Sequence, residues 1–300
     1  MVACRMLVRL ALSLCVIAVL VAAPAAAEAA SVVQPTSVSR HAVLPAGAAT
    51  TVRLSCPAPS VALNGAVVRQ GARVTVRRST PGADADDWSF RLSASAGAAG
   101  RRVALVLRCV QLDLPAGIAN ARLHVNTRTL PDFTVPAGGT TAVSVGCGRA
   151  WLATGYGFER GASDDLVLAE VVPSVHGWSF LVENTGAAPA TASLSVRCLR
   201  TAVTARLRGG GSAELRFGAT RPSFAATFAG SKGRRAAFRK CGTSRFSLAA
   251  GSIVDPADSI EFLTGGPTGA RGVRWLYRRV KVTDGFRAFM VCLRTGSDFH

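Results

Sequence analysis

Six of the eight cysteines, those beyond Cys4 and Cys15 of the N-terminal segment, constrain this chain more than anything else in it: Cys56, Cys109, Cys147, Cys198, Cys241 and Cys292 follow one another at separations of 53, 38, 51, 43 and 51 residues. Long gaps alternate with short ones, so the cysteines fall into three pairs and the chain reads as three copies of one unit. First cysteines of successive copies lie 91 and 94 residues apart. A repeat of that length is a domain in itself, unlike a solenoid turn that needs neighbours to bury its face. Six cysteines allow fifteen pairings in principle. If each copy folds alike, only Cys56–Cys109, Cys147–Cys198 and Cys241–Cys292 pair equivalently in all three. Closing loops of that size is worth about 4 kcal/mol each on a chain-entropy account. The rival use of cysteine, a metal site, requires close spacing with histidines nearby, and no such cluster occurs.

Other residues keep step with the cysteines. Pro45-Ala46-Gly47 stands eleven residues before Cys56, and Pro136-Ala137-Gly138 eleven before Cys147; the third copy has Gly230-Ser231-Lys232 at that offset. After each first cysteine comes a stretch of small and apolar residues: VALNGAVV from Val61, LATGYGF from Leu152 and SLAAGSIV from Ser247. A tryptophan with an aromatic two residues on follows each time, as Trp88/Phe90, Trp178/Phe180 and Trp275/Tyr277, and each copy ends on a strand-like run into its second cysteine. Runs such as TTVRLSC, WSFRLSAS and WLYRRVKV alternate with period two and are punctuated by Gly, Pro and Asp. That pattern predicts an all-β fold, with about seven strands per copy arranged as a β-sandwich that is immunoglobulin-like in the broad sense. The copies are expected at 31–114, 115–208 and 209–300, with boundaries near Pro115 and the Gly209-Gly210-Gly211 run.

The immunoglobulin pattern proper is not met, because its tryptophan follows the first cysteine on the next strand, whereas here it trails by 32, 31 and 34 residues. The cadence of cysteine, glycine-rich stretch, Gly-Trp-x-aromatic and cysteine is clearest from Cys147 to Cys198, with Gly177-Trp178-Ser179-Phe180 and Glu183-Asn184. It resembles that of secreted repeat proteins of actinobacterial type. The resemblance spans nearly the whole chain after the N-terminal segment and implies export and a modular build, with no activity attached.

Residues 1–27 carry Arg5 and Arg9, an apolar run from Leu10 to Ala23, and small residues ending in Ala25-Ala26-Ala27. This is the form of a secretory signal peptide cleaved near Ala27. The run is short of the roughly 20 residues that a spanning helix needs, which sets the cleaved signal ahead of its alternative, a retained membrane anchor. A lipoprotein signal is excluded by Leu14 before Cys15, where a small residue is wanted. No later stretch reaches membrane length. Export would place the chain outside the cell or in the envelope, where disulfides form.

Arginine and lysine outnumber acidic residues 35 to 17, a balance that favours anionic partners but has a bland alternative in compositional bias toward Arg, Ala, Gly and Val. The charge is uneven: residues 205–300 hold 17 basic and 6 acidic side chains, against 10 and 4 in 31–115 and 6 and 6 in 116–204. Two clusters supply most of it, Lys232, Arg234, Arg235, Arg239 and Lys240 in one, Arg271, Arg274, Arg278, Arg279 and Lys281 in the other. Cations interleaved with Trp275 and Tyr277 could track an anionic backbone while rings stack; the alternative is a solvated basic face. The Trp-x-aromatic pairs put both rings on one face of a strand, as core or as a platform for sugars. Asp84, Asp86 and Asp87, echoed by Asp164-Asp165 and Asp255/Asp258, suggest calcium ligands but lack the glycine and distal glutamate of a calcium loop. His41, His124, His176 and His300 do not recur in register, and no nucleophile motif or phosphate-cradling loop is present. The expectation is a secreted, non-enzymatic structural or adhesion protein without cofactor. Its basic third copy would engage an anionic envelope polymer or polysaccharide in preference to nucleic acid; the alternatives are a carbohydrate-binding module using the aromatic pairs and, last, an enzyme with a cryptic site.

Overall fold

Alternation of Val, Leu and Phe with Thr, Ser and Arg can bury one side of a strand and wet the other, and wherever it occurs the chain is extended. A computed structural model describes residues 33–69, 74–97, 100–114, 116–221, 223–227, 233–243, 245–254, 260–268, 271–279 and 285–294. Among them every regular element is a strand, so the fold is all-β. The expected signal peptide, residues 1–27, and Pro115 lie outside the described residues.

The first stretch contributes β1 (Val33–Leu44), β2 (Ala49–Ser55), β3 (Val61–Arg69), β4 (Val74–Pro81), β5 (Asp87–Ala94) and β6 (Arg101–Leu112). They pair as β1-β6-β3 and β2-β5-β4, antiparallel throughout. Between these two layers lie Leu44, Val52, Leu54, Trp88, Phe90, Leu92, Leu105 and Leu107, all buried. The same order recurs twice. β8 (Val125–Val135), β9 (Thr140–Gly146), β10 (Trp151–Arg160), β11 (Leu166–Pro173), β12 (Gly177–Asn184) and β13 (Ala190–Arg200) pair as β8-β13-β10 and β9-β12-β11. β17 (Ser223–Thr227), β18 (Gly233–Lys240), β19 (Arg245–Val254), β20 (Ile260–Thr268), β21 (Gly272–Arg279) and β22 (Gly285–Arg294) pair as β17-β22-β19 and β18-β21-β20. Among the described residues the same arrangement of six strands in two sets of three thus occurs in each stretch.

The disulfides join Cys56 to Cys109, Cys147 to Cys198 and Cys241 to Cys292, with Cα–Cα distances of 5.7, 5.7 and 5.9 Å. Each ties the end of one layer to the central strand of the other, as β2 is tied to β6.

The connections form strands of their own. β7 (Ile118–Asn120) pairs with β14 (Ala202–Leu207), which forms a hairpin with β15 (Ser212–Arg216), and β16 (Ala219–Thr220) adds to β22. Gly209-Gly210-Gly211, whose composition reads as turn or linker, turns that hairpin; Gly210 and Gly211 have φ of 91° and 84°, a region glycine enters without steric cost.

Successive stretches are joined by strand pairing across their sheets. β4 pairs with β10 through Ser79 opposite Phe158 and Arg78 opposite Glu159, fusing two sets of three into one six-stranded sheet. β11 pairs with β19 in the same way, Glu170 opposite Ile253 and Val171 opposite Ser252. β20 runs alongside β3, so the third stretch returns to the first and the arrangement closes into a ring.

The small-residue stretches sit at the middle of this ring. β3, β10 and β19 each touch the other two, and each carries a bulge at the same place, skipping Leu63, Thr154 and Leu248, all fully buried. Thr154 Oγ1 donates to the carbonyls of Leu63 (3.3 Å) and Arg197 (3.0 Å), and Asn64 Nδ2 donates to the carbonyl of Leu248 (3.1 Å). A Cβ at Gly155 would overlap the Leu63 carbonyl, which is why a glycine stands where the strands converge.

Candidate functional site

The aromatic pairs can be placed first. Trp88, Phe90, Trp178 and Phe180 are all buried between layers. Burial leaves neither pair a face on which a sugar could stack. In the third stretch the register differs from that expected. Trp88 lies opposite Leu54 and Pro81, Trp178 opposite Val145 and Pro173, but the position opposite Arg239 and Pro267 is held by Val273. Trp275 falls one pleat further on, opposite Ala237, where Phe90 and Phe180 oppose Val52 and Val143. The 34-residue spacing from Cys241 is thus a two-residue shift along the strand, and Tyr277 moves with it to oppose Arg235 and Phe262.

The basic residues singled out in the third stretch gather on β18 and β21. Arg234 opposes Arg278, Phe238 opposes Arg274, Gly233 opposes Arg279 and Lys240 opposes Gly272. Residues two apart share a face of a strand, so Arg234, Phe238 and Lys240 belong with Arg274 and Arg278 on one side of this pair, and Arg235 and Arg239 on the other. Arg239, Lys240 and Arg271 are exposed, as is Phe238, with the Lys240 ammonium 5.8 Å from its ring centroid. The Arg271 carbonyl accepts a hydrogen bond from the Cys241 amide at 2.8 Å, which anchors the start of β21 beside the disulfide. Arg239 stands where the other stretches have buried Leu54 and Val145. Lys232 and Lys281 lie outside the described residues.

Two of the aspartates considered as calcium ligands have other partners. Asp87 is buried, with Arg53 Nε 3.2 Å from its carboxylate, and Asp164 pairs with Arg77 at 2.8 Å. Asp255 and Asp258 lie outside the described residues, as does His300. Among the described residues no three His, Cys, Asp or Glu side chains converge on a point where a metal could sit. His176 Nδ1 is 2.7 Å from the Trp151 carbonyl, and the His124 carbonyl accepts from the Arg200 amide at 3.0 Å.

Two arginines that sequence reasoning passed over are buried at the contacts between stretches. Arg197 Nη2 donates to the carbonyls of Asp84 (3.2 Å) and Asp87 (3.1 Å) in the first stretch. Arg108 donates to Ser37 Oγ (2.8 Å) and reaches Ser247 Oγ in the third (3.3 Å). Loss of hydration lowers both guanidiniums to about 10, opposed for Arg197 by the negative charges of Asp87 and Asp86. Each stands immediately before the second cysteine of its disulfide, where the third stretch has Val291. The recurring Arg-Cys dipeptide was the available signal. Alternation puts the cysteine between the two layers of its stretch and the arginine on the outer side, and only contact with a neighbouring stretch buries that outer side.

No protein-family model matches the chain, and no curated protein matches it. Among the described residues no helix is long and apolar enough to cross a membrane, and three disulfides fit an oxidising compartment.

Proposed function

We propose that the chain is an exported, non-enzymatic structural or adhesion protein. In this reading its three copies of one β-sandwich module close into a ring, and the third copy holds anionic envelope polymers through β18 and β21. One observation carries the reading: the β18–β21 register sets Arg234 directly across from Arg278, with Arg274 and the exposed Lys240 on the same side. Like charges facing each other across a strand pair oppose folding, and a polyanion lying over them would turn that cost into attraction. Exposed Phe238 among these cations gives the surface an apolar contact for a sugar ring. The spacing of the cysteines supports export, and the N-terminal segment supports it independently.

Chromatography of the mature protein on immobilised heparin or purified wall polymer tests the binding. Retention at low salt, elution by modest salt, and a clear fall in retention on replacing Lys240 and Arg274 with serine are expected, because counterions compete steeply for polyanion contacts. Passage unretained at low salt contradicts the proposal.

A further inference from the structure

Beside the pairing of β4 with β10, the surface is hollowed into a cleft of about 630 Å³. Both the first and second copies wall it: Arg77, Arg91 and Ser93 come from β4 and β5, Glu159 and Arg160 from the end of β10. That volume suits a molecule of sugar size better than a bare ion.

The charges around the cleft do not balance. Arg77 is fixed by two contacts, Nη2 to Asp164 at 2.8 Å and Nε donating to Ser93 Oγ at 3.2 Å. Arg78, next to it, pairs with Glu159 at 3.5 Å, and Arg160 Nη1 donates to the Asp164 carbonyl at 3.1 Å. Both carboxylates near the cleft are therefore already engaged. Arg91 is exposed, faces Arg78 in the β4–β5 register, and pairs with no carboxylate among the described residues. A guanidinium held opposite another and left facing a polar hollow is well placed to take a planar anion through two parallel hydrogen bonds.

We infer that this cleft binds a small anionic ligand of sugar size, bearing a carboxylate or a phosphate, with Arg91 as the contacting charge and Arg77 holding the wall. The site shares no residue with the basic strands of the third copy and does not depend on the proposed polymer binding.

Titration calorimetry on the whole mature protein decides it, with glucuronate and glycerol 1-phosphate as anionic probes and glucose as the neutral control. Binding of at least one anionic probe, no binding of glucose, and an affinity at least tenfold lower for Arg91→Ser are expected. Whichever anion binds more tightly identifies the group as carboxylate or phosphate. Arg91→Lys, which keeps the charge and loses the fork, is expected to fall between, and it keeps the test open should the serine variant misfold. The Lys240→Ser/Arg274→Ser protein is expected to bind as wild type. Failure of both anions to bind, or wild-type affinity in Arg91→Ser, overturns the inference.

Discussion

In the first stretch the Trp88 ring lies against Gly65, where any Cβ would overlap it, and its indole N–H donates to Ser79 Oγ at 3.1 Å. In the second stretch Tyr156 takes the place of Gly65. Its ring sits 4.9 Å from Trp178 and 5.6 Å from Phe180, tilted to the first and edge-on to the second. Val171 takes the place of Ser79, and Trp178 Nε1 is buried without a hydrogen-bond partner. One backbone position thus carries two packings, a ring laid on a bare backbone or a cluster of three rings. The polar contact survives in only one of them. A repeat preserves where a large ring must go more strictly than it preserves what surrounds the ring.

The largest effect is expected where that ring cluster is emptied. Tyr156→Ala should cost about 3 to 4 kcal/mol in denaturant unfolding, through lost burial and the cavity left against Trp178 and Phe180. The converse change, Gly65→Ala, should cost about 2 kcal/mol, because Trp88 has to leave its place to admit a methyl group. If Gly65→Ala proves neutral, the two packings are interchangeable and the contrast fails.

Burial also pushes the Tyr156 phenol above its ordinary ionisation range. A group whose folded pKa is raised gives stability that is complete below its unfolded value, near 10, and that is lost as pH rises past it. Above pH 10 the wild type should therefore lose stability faster than Tyr156→Phe, by about 1.4 kcal/mol per pH unit, in parallel thermal melts across that range. Equal slopes would show that the hydroxyl is hydrated. The smallest effect concerns the stranded indole: Val171→Thr supplies the acceptor that Ser79 supplies in the first stretch, and should gain about 0.5 kcal/mol where burying an unpaired hydroxyl would lose stability.

The all-β class was legible because period-two alternation reports one-sided burial wherever it occurs. The pairing of the cysteines was legible because three alike copies admit one equivalent solution. Two features were not. The shift of Trp275 by one pleat leaves the local motif of tryptophan, spacer and aromatic intact, and only the residues across the strand, Ala237 and Gly265, expose it. The ring was hidden because the pairings of β4 with β10 and β11 with β19 are backbone contacts between strands far apart in the chain, and they need no particular side chain. The residues that mark them, the glycines of β10 and the arginines before Cys109 and Cys198, read in isolation as loose composition and surface charge.

Differential scanning calorimetry of the protein tests whether the three stretches close into one body. Continuous sheets across the copies, with Arg108 and Arg197 buried between them, predict one cooperative transition whose calorimetric and van't Hoff enthalpies agree. Three separable transitions, each surviving when its neighbours have melted, would contradict it.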